Sequence, residues 1–130
     1  NTGNAGLFLT SRDMAKFGLL YLNGGRYNDM QLIPANWIDS SFCNYALNLP
    51  RCRESEIVPF SGYGFQWWIK EFNNTITYTA LGYGGQFIMV IPSSDMVIVT
   101  NSTRDVSWSE TKNNVDKTIN AIAKIIEITK

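Results

Sequence analysis

Three short segments constrain this chain most: the alternating, β-branched Ile76–Ala80 and the apolar runs Phe87–Ile91 and Met96–Thr100. They are rich in β-branched and aromatic side chains, and each is too short for a buried helix but suited to a strand. Turn-forming residues separate them, a glycine-rich stretch at Gly82–Gly85 and then Pro92-Ser93-Ser94-Asp95. Connections this short cannot carry a parallel crossover, so neighbouring strands must run antiparallel. The aromatic run Phe65-Gln66-Trp67-Trp68-Ile69 reads as a further strand, ending before the turn signal Asn73-Asn74. The expectation is an antiparallel sheet of three or four strands. After it, Val115, Ile119, Ile122 and Ile126 recur at helical spacing. They predict an amphipathic helix from about Glu110 to Ile128 whose stripe packs on the sheet.

The N-terminal third has helical punctuation instead. Thr10 is placed to cap a helix, with Asp13 three residues on, and Met14, Phe17 and Tyr21 continue one face. Gly24-Gly25 ends it, because glycine accepts the left-handed cap conformation. Tyr27-Asn28-Asp29 reads as a turn. Pro34 suits the first position of a second helix carrying Trp37, Ile38 and Phe42. Asn44–Ser61 lacks periodicity and reads as a long loop. The expected architecture is therefore α+β, with an antiparallel sheet packed by an N-terminal helix pair and a C-terminal helix. The length fits a single domain over residues 1–130.

Composition excludes several classes of function. Charged residues are 17%, against about a quarter in an average domain. Eleven basic and eleven acidic residues cancel, and no cluster of Lys and Arg stands out, so nucleic acid is not an expected partner. No apolar run reaches the ~18 residues of a membrane-spanning helix. The chain has no His and two Cys, which argues against a zinc site. No metal and no cofactor are expected. Cys43 and Cys52 have eight residues between them, in a loop-like stretch. A bridge between them and two ordinary thiols are equally consistent with that spacing.

Without His, no Ser-His-Asp or Cys-His arrangement can be built within this chain, and any base must be Lys, Tyr or a carboxylate. Ser109-Glu110-Thr111-Lys112 has the Ser-x-x-Lys spacing that brings an amine beside a hydroxyl on one helical face. Its plainer reading, an N-cap followed by a solvated first turn, is preferred. Tyr21-Leu22-Asn23 has Tyr-x-Asn spacing, but Tyr21 completes a helical stripe and Asn23 leads into the helix stop. The most informative segment is Tyr78-Thr79-Ala80-Leu81-Gly82-Tyr83-Gly84-Gly85-Gln86-Phe87. Glycines between good strands mark either an ordinary hairpin or a place where a ligand approaches the backbone. In the second case, exposed N–H groups can stabilise an oxyanion. Spacing alone does not separate the two.

Several segments resemble the β-lactamase-related serine hydrolases, a family of class C β-lactamases, DD-peptidases, esterases and aminohexanoate-oligomer hydrolases. They are Gly6–Gly18 with Leu22-Asn23-Gly24-Gly25, Tyr63-Gly64-Phe65-Gln66-Trp67-Trp68, and Gly82-Tyr83-Gly84-Gly85-Gln86 followed by Val90-Ile91-Pro92 and Asp95–Val99. Their order along nearly the whole chain makes the resemblance specific. It implies the β-lactamase/transpeptidase-like fold. It places Ala80-Leu81-Gly82 where relatives carry Lys-Thr-Gly or His-x-Gly on the strand edging the active site. Gly82 matches, while Ala80 and Leu81 do not. The resemblance thus implies an esterase or amidase more than a β-lactamase. It implies an oxyanion-hole N–H at Tyr83, with Gly82 beside it, and substrate contacts from Ala80, Leu81, Gly84, Gly85 and Gln86. The nucleophilic Ser, its Lys and the catalytic Tyr are expected N-terminal to Asn1. The expected partners are that N-terminal segment or a second copy, and a small ester or amide substrate. The resemblance favours an extracytoplasmic or secreted location. The alternative is a non-catalytic domain that reuses the hydrolase sheet, with Tyr83, Phe65, Trp67 and Trp68 lining a ligand groove.

Overall fold

The computed structural model describes residues 6–46, 60–103 and 105–129. Helix α1 spans Ser11–Leu22. Thr10 starts it, as expected. The Asp13 N–H donates to Thr10 Oγ1 at 3.2 Å, and the Thr10 hydroxyl donates to the Asp13 carboxylate at 2.7 Å. That hydrogen bond, with a second from Lys16, holds the Asp13 carboxyl below its ordinary range. The Gly25 N–H closes the other end on the Leu20 carbonyl at 2.8 Å. The Tyr27-Asn28-Asp29 turn is flanked by two-residue strands, β1 (Arg26–Tyr27) and β2 (Met30–Gln31), paired antiparallel. Helix α2 covers Ala35–Phe42, with Pro34 at its N-cap and not at its first helical position.

The main sheet has five antiparallel strands in sequential order: β3 (Gly62–Tyr63), β4 (Trp68–Phe72), β5 (Thr75–Gly82), β6 (Gln86–Ile91) and β7 (Met96–Thr100). The strand missed by pattern is β3, whose two residues are too few to show an alternation. Strand β4 begins later than the aromatic run suggested. Gln66 has φ 66°, and the Gly64 N–H bonds the Trp67 carbonyl at 2.8 Å, so Phe65–Trp67 form a tight turn. Asn73 and Asn74 have φ of 47° and 65°. Two consecutive positive φ values suit a type I′ hairpin, which pairs Phe72 with Thr75 and sets the β4–β5 register. After η1 (Pro92–Ser94), Asp95 turns the chain into β7 with φ 48°.

The sheet is covered differently on its two faces. Helix α1 lies across β6 and β7. Met14, Tyr21, Ile38, Trp67, Ile88 and Val90 form the core on that side. Trp67, only 2% exposed, sits 4.7 Å from the Tyr21 ring and 5.6 Å from Phe42. Tyr21 and Trp67 are therefore core residues. Helix α3 (Trp108–Ile128) covers the other face. Its Val115, Ile122 and Ile126 are buried and Ile119 is half-buried, so the predicted stripe packs against Phe87, Met89 and Ile91. Ser107 caps this helix through a capping box with Glu110, so Ser109 stands one turn-position inside it. The Ser107 hydrogen bonds lower the Glu110 pKa. Ser109 Oγ lies 3.1 Å from Ser107 Oγ. No helix among the described residues is long and apolar enough to cross a membrane. Cys43 is exposed, and the Cys43–Cys52 pairing involves a residue outside the described ones.

Candidate active site

Strand β4 pairs with β5 only as far as Thr79, opposite Trp68. Ala80, Leu81 and Gly82 continue past it, paired to Ile88, Phe87 and Gln86 of β6. The end of β5 is thus a two-sided strand that becomes one-sided where the family resemblance places the site. Tyr83, Gly84 and Gly85 then turn the chain between Gly82 and Gln86.

Geometry explains the glycines of this turn. Gly82 lies in extended backbone; a Cβ there would stand 3.2 Å from Gln86 Cβ, so crowding, not positive φ, is what a side chain would meet. Positive φ falls on Gly84 (84°) and Gly85 (92°). At Gly84 a Cβ would also lie 2.7 Å from the Thr103 carbonyl oxygen. The Gly85 N–H donates to the Gly82 carbonyl at 3.4 Å, so that carbonyl points into the turn. A trans peptide is planar, with C=O and N–H opposed. The Tyr83 N–H, in the same peptide plane, therefore points out of the turn and away from β6.

Four side-chain hydrogen bonds tie the turn and the start of β6 to the end of β7 and the residues that follow it. Ser102 Oγ donates to the Gly84 carbonyl at 2.6 Å, and Thr100 Oγ1 donates to the Gly85 carbonyl at 2.9 Å. Gln86 Nε2 donates to the Ser102 carbonyl at 3.2 Å, and the Tyr83 hydroxyl to the Val106 carbonyl at 3.0 Å. The Tyr83 ring is half exposed and 6.3 Å from Trp108.

Beside the turn, on the face covered by α1, lies an open cavity of about 730 Å³. The Leu7–Thr10 segment and Met14 wall one side, and Asn101–Thr103 with Asp105 wall another. Of the residues expected at the site, Ala80, Leu81, Gly82 and Gln86 line this cavity, whereas Tyr83, Gly84 and Gly85 stand outside it. Leu81 also packs on the α3 side with Phe87 and Val115. The aromatic groove of the alternative reading does not form. Trp67 is core, Trp68 packs on Phe60 and Tyr63, and Phe65 stacks on Tyr45 at 4.8 Å. Groups with shifted pKa lie outside the cavity lining. Burial raises the Tyr78 phenol, with Cys43 adding to it, and burial lowers Lys70, whose Nζ stands 5.2 Å from the centre of the Phe72 ring. Among the described residues no three His, Cys, Asp or Glu side chains group as a metal site.

Sequence reasoning missed the Leu7–Thr10 wall and the one made by Asn101–Thr103 with Asp105. A signal existed for the second: Asn101-Ser102-Thr103 is a polar cluster immediately after an apolar strand, at the end of the sheet where the glycine turn also lies.

The described residues thus form an antiparallel sheet sandwiched between α1 and α3, with an open cavity at the end where the glycine turn lies. The sequence pattern of the Beta-lactamase family matches residues 1–119, and the chain belongs to that family. It is similar to a solved structure described as a 6-aminohexanoate-dimer hydrolase from Bacillus anthracis, with 31% identity and a TM-score of 0.61. That match covers 91% of this chain and 29% of the other, so the chain spans under a third of that hydrolase's length. Among curated proteins none matches this chain.

Proposed function

We propose that this chain is the C-terminal part of a serine hydrolase that cleaves a small ester or amide by acyl transfer. The Tyr83 N–H supplies one oxyanion donor, and a segment outside residues 1–130 supplies the nucleophile and its base. The carrying observation is the Gly82–Tyr83 peptide, whose carbonyl is engaged inside the turn while its N–H is turned outward. An oxyanion donor of this kind stabilises the transition state by roughly 3 kcal/mol, about a hundredfold in rate. Ala80 and Leu81 offer no cation or hydroxyl where β-lactam-processing relatives bind a carboxylate, which supports an ester or amide substrate. The share of the similar hydrolase that this chain covers supports a nucleophile carried elsewhere. Ser109 is a poor candidate for that role, because it sits inside the capped first turn of α3.

The chain alone is expected to leave p-nitrophenyl esters and β-lactams intact and to escape labelling by a fluorescent penicillin. Stoichiometric acylation at Ser109 would overturn the proposal. In the hydrolase completed with its nucleophile-bearing segment, Gly82→Val should cost more turnover than Tyr83→Ala, because alanine keeps the backbone donor. Loss of turnover in Tyr83→Ala with retention in Gly82→Val would make the tyrosine side chain the active group instead.

A further inference from the structure

We propose that Ser102 is a positioning residue for the Tyr83 N–H, acting through a relay of two peptide planes. This rests on the donor role given to Tyr83 above. Ser102 Oγ donates to the Gly84 carbonyl at 2.6 Å. That carbonyl shares a planar peptide with the Gly85 N–H, which must then point the opposite way. There it meets the Gly82 carbonyl at 3.4 Å. The Gly82 carbonyl in turn shares its peptide with the Tyr83 N–H. A hydroxyl bonded to the Gly84 carbonyl thus fixes the direction of the donor two peptides away.

The relay acts on strength as well as direction. Each acceptor that receives a hydrogen bond makes the N–H of its own peptide a better donor, so bonds in a chain reinforce one another. The middle link, at 3.4 Å, is longer than an ordinary N–H···O bond, and it is where loss of Ser102 will be felt first. Two other contacts hold Ser102 in place for this task. Its own carbonyl accepts from Gln86 Nε2, across the base of the hairpin. Gly84 packs so closely that a Cβ there would stand 3.1 Å from Ser102 Oγ. Thr100 holds the following peptide through the Gly85 carbonyl, which lies outside the relay. Thr100 is therefore the natural control.

The test uses the full ¹⁵N-labelled chain, with residual dipolar couplings to read N–H directions and amide exchange to read the links. Ser102→Ala should change the couplings of Tyr83 and Gly85 and raise Gly85 exchange about tenfold. The couplings of Ile88 and Val90 in β6 should stay fixed. Ser102→Thr, which keeps the hydroxyl, should restore the original values. Thr100→Val should leave the Tyr83 coupling unchanged. The proposal is overturned if Ser102→Ala leaves the Tyr83 coupling where it was, if exchange rises equally at Val90, or if Ser102→Thr fails to restore it. None of these readouts depends on turnover. Should the Tyr83 N–H swing in Ser102→Ala while the completed hydrolase keeps its kcat, the relay stands and the donor role falls.

Discussion

Gly18 gives the sharpest test of how α1 seats on the sheet. A Cβ built there would lie 2.5 Å from Val97 Cγ1 and 3.0 Å from Ile88 Cγ2. Ordinary contacts between carbon atoms fall near 3.5–4.0 Å, so roughly 1 Å must be found by movement. Val97 cannot rotate out of the way, because it is β-branched and its other methyl already stands 3.4 Å from the same point. Overpacking of this sort costs about 1–3 kcal/mol, and the rigid neighbour places Gly18→Ala toward the upper end. Alanine recovers about 1 kcal/mol of helix propensity. The net expectation is a loss of about 1–2 kcal/mol, or a fall of about 3–10 °C in Tm for a chain of this size. Urea unfolding followed by tryptophan emission measures it. In a Val97→Ala background the 2.5 Å contact is removed and the 3.0 Å approach to Ile88 Cγ2 remains, so the same Gly18→Ala change should cost about 1 kcal/mol less than it does in the unmodified chain. If Gly18→Ala stabilises the unmodified chain, α1 does not approach β7 this closely and the argument fails.

Thr79 and Thr111 bury side-chain hydroxyls that have no hydrogen-bond partner among the described residues. Replacing either by Val should raise stability by about 1 kcal/mol in the same urea assay, and a loss would reveal a partner. Ser107→Ala should cost about 1 kcal/mol by removing the cap of α3, read as lost helical ellipticity and a lower Tm. The Glu110 pKa is lowered in the folded chain, so its contribution is complete above the ordinary glutamate range and fades as pH falls through the lowered folded value. Acid titration of Ser107→Ala should therefore show a smaller low-pH loss of Tm than the unmodified chain, and an equal loss would detach Glu110 from the cap. Strand β7 is an outer strand with no charge from Met96 to Thr100, an open template for pairing. The purified chain should scatter light as more than one copy, and a monodisperse monomer with a cooperative thermal transition would refute this.

Strong local codes were legible in the sequence. Met96–Thr100 is legible to its bounds because an unbroken apolar run follows a turn signal, and the α3 stripe is legible within two residues of its start because a 3.6 period runs long enough to be counted. The Thr10 cap and the Gly24-Gly25 stop were legible for the same reason, since each is a contact between near neighbours in sequence. Strand β3 was not legible, because two residues carry no period and its pairing with β4 is a tertiary event. The late start of β4 hides behind Gln66, a residue type that gives no warning of positive φ. The lining of the cavity was legible only in part. The glycine turn marked itself, and Ala80, Leu81, Gly82 and Gln86 do line the cavity. The wall from Leu7 to Thr10 and the Ser102 and Thr100 hydroxyls meet the turn only through the packing of the sheet's far end. No spacing along the chain records that meeting.

The two faces of the sheet are unequal in colour as well as in packing. Of the four tryptophans, Trp67 alone is fully buried, and it lies among Met14, Tyr21 and Ile38 on the α1 side. The α3 side holds Met89, Ile91, Ile122 and Ile126 and no tryptophan in its core, while Trp108 at the start of α3 is 54% exposed. Intrinsic emission is therefore weighted toward the α1 layer, with Trp68, half-buried against Phe60, and Trp108 contributing from the α3 side. Far-UV ellipticity is weighted toward the other, because α3 is 21 residues long against 12 for α1 and 8 for α2. Recorded on one sample, the two signals form a differential probe of the sheet. Coincident curves mean that both layers leave together, and separated curves say which helix lets go first.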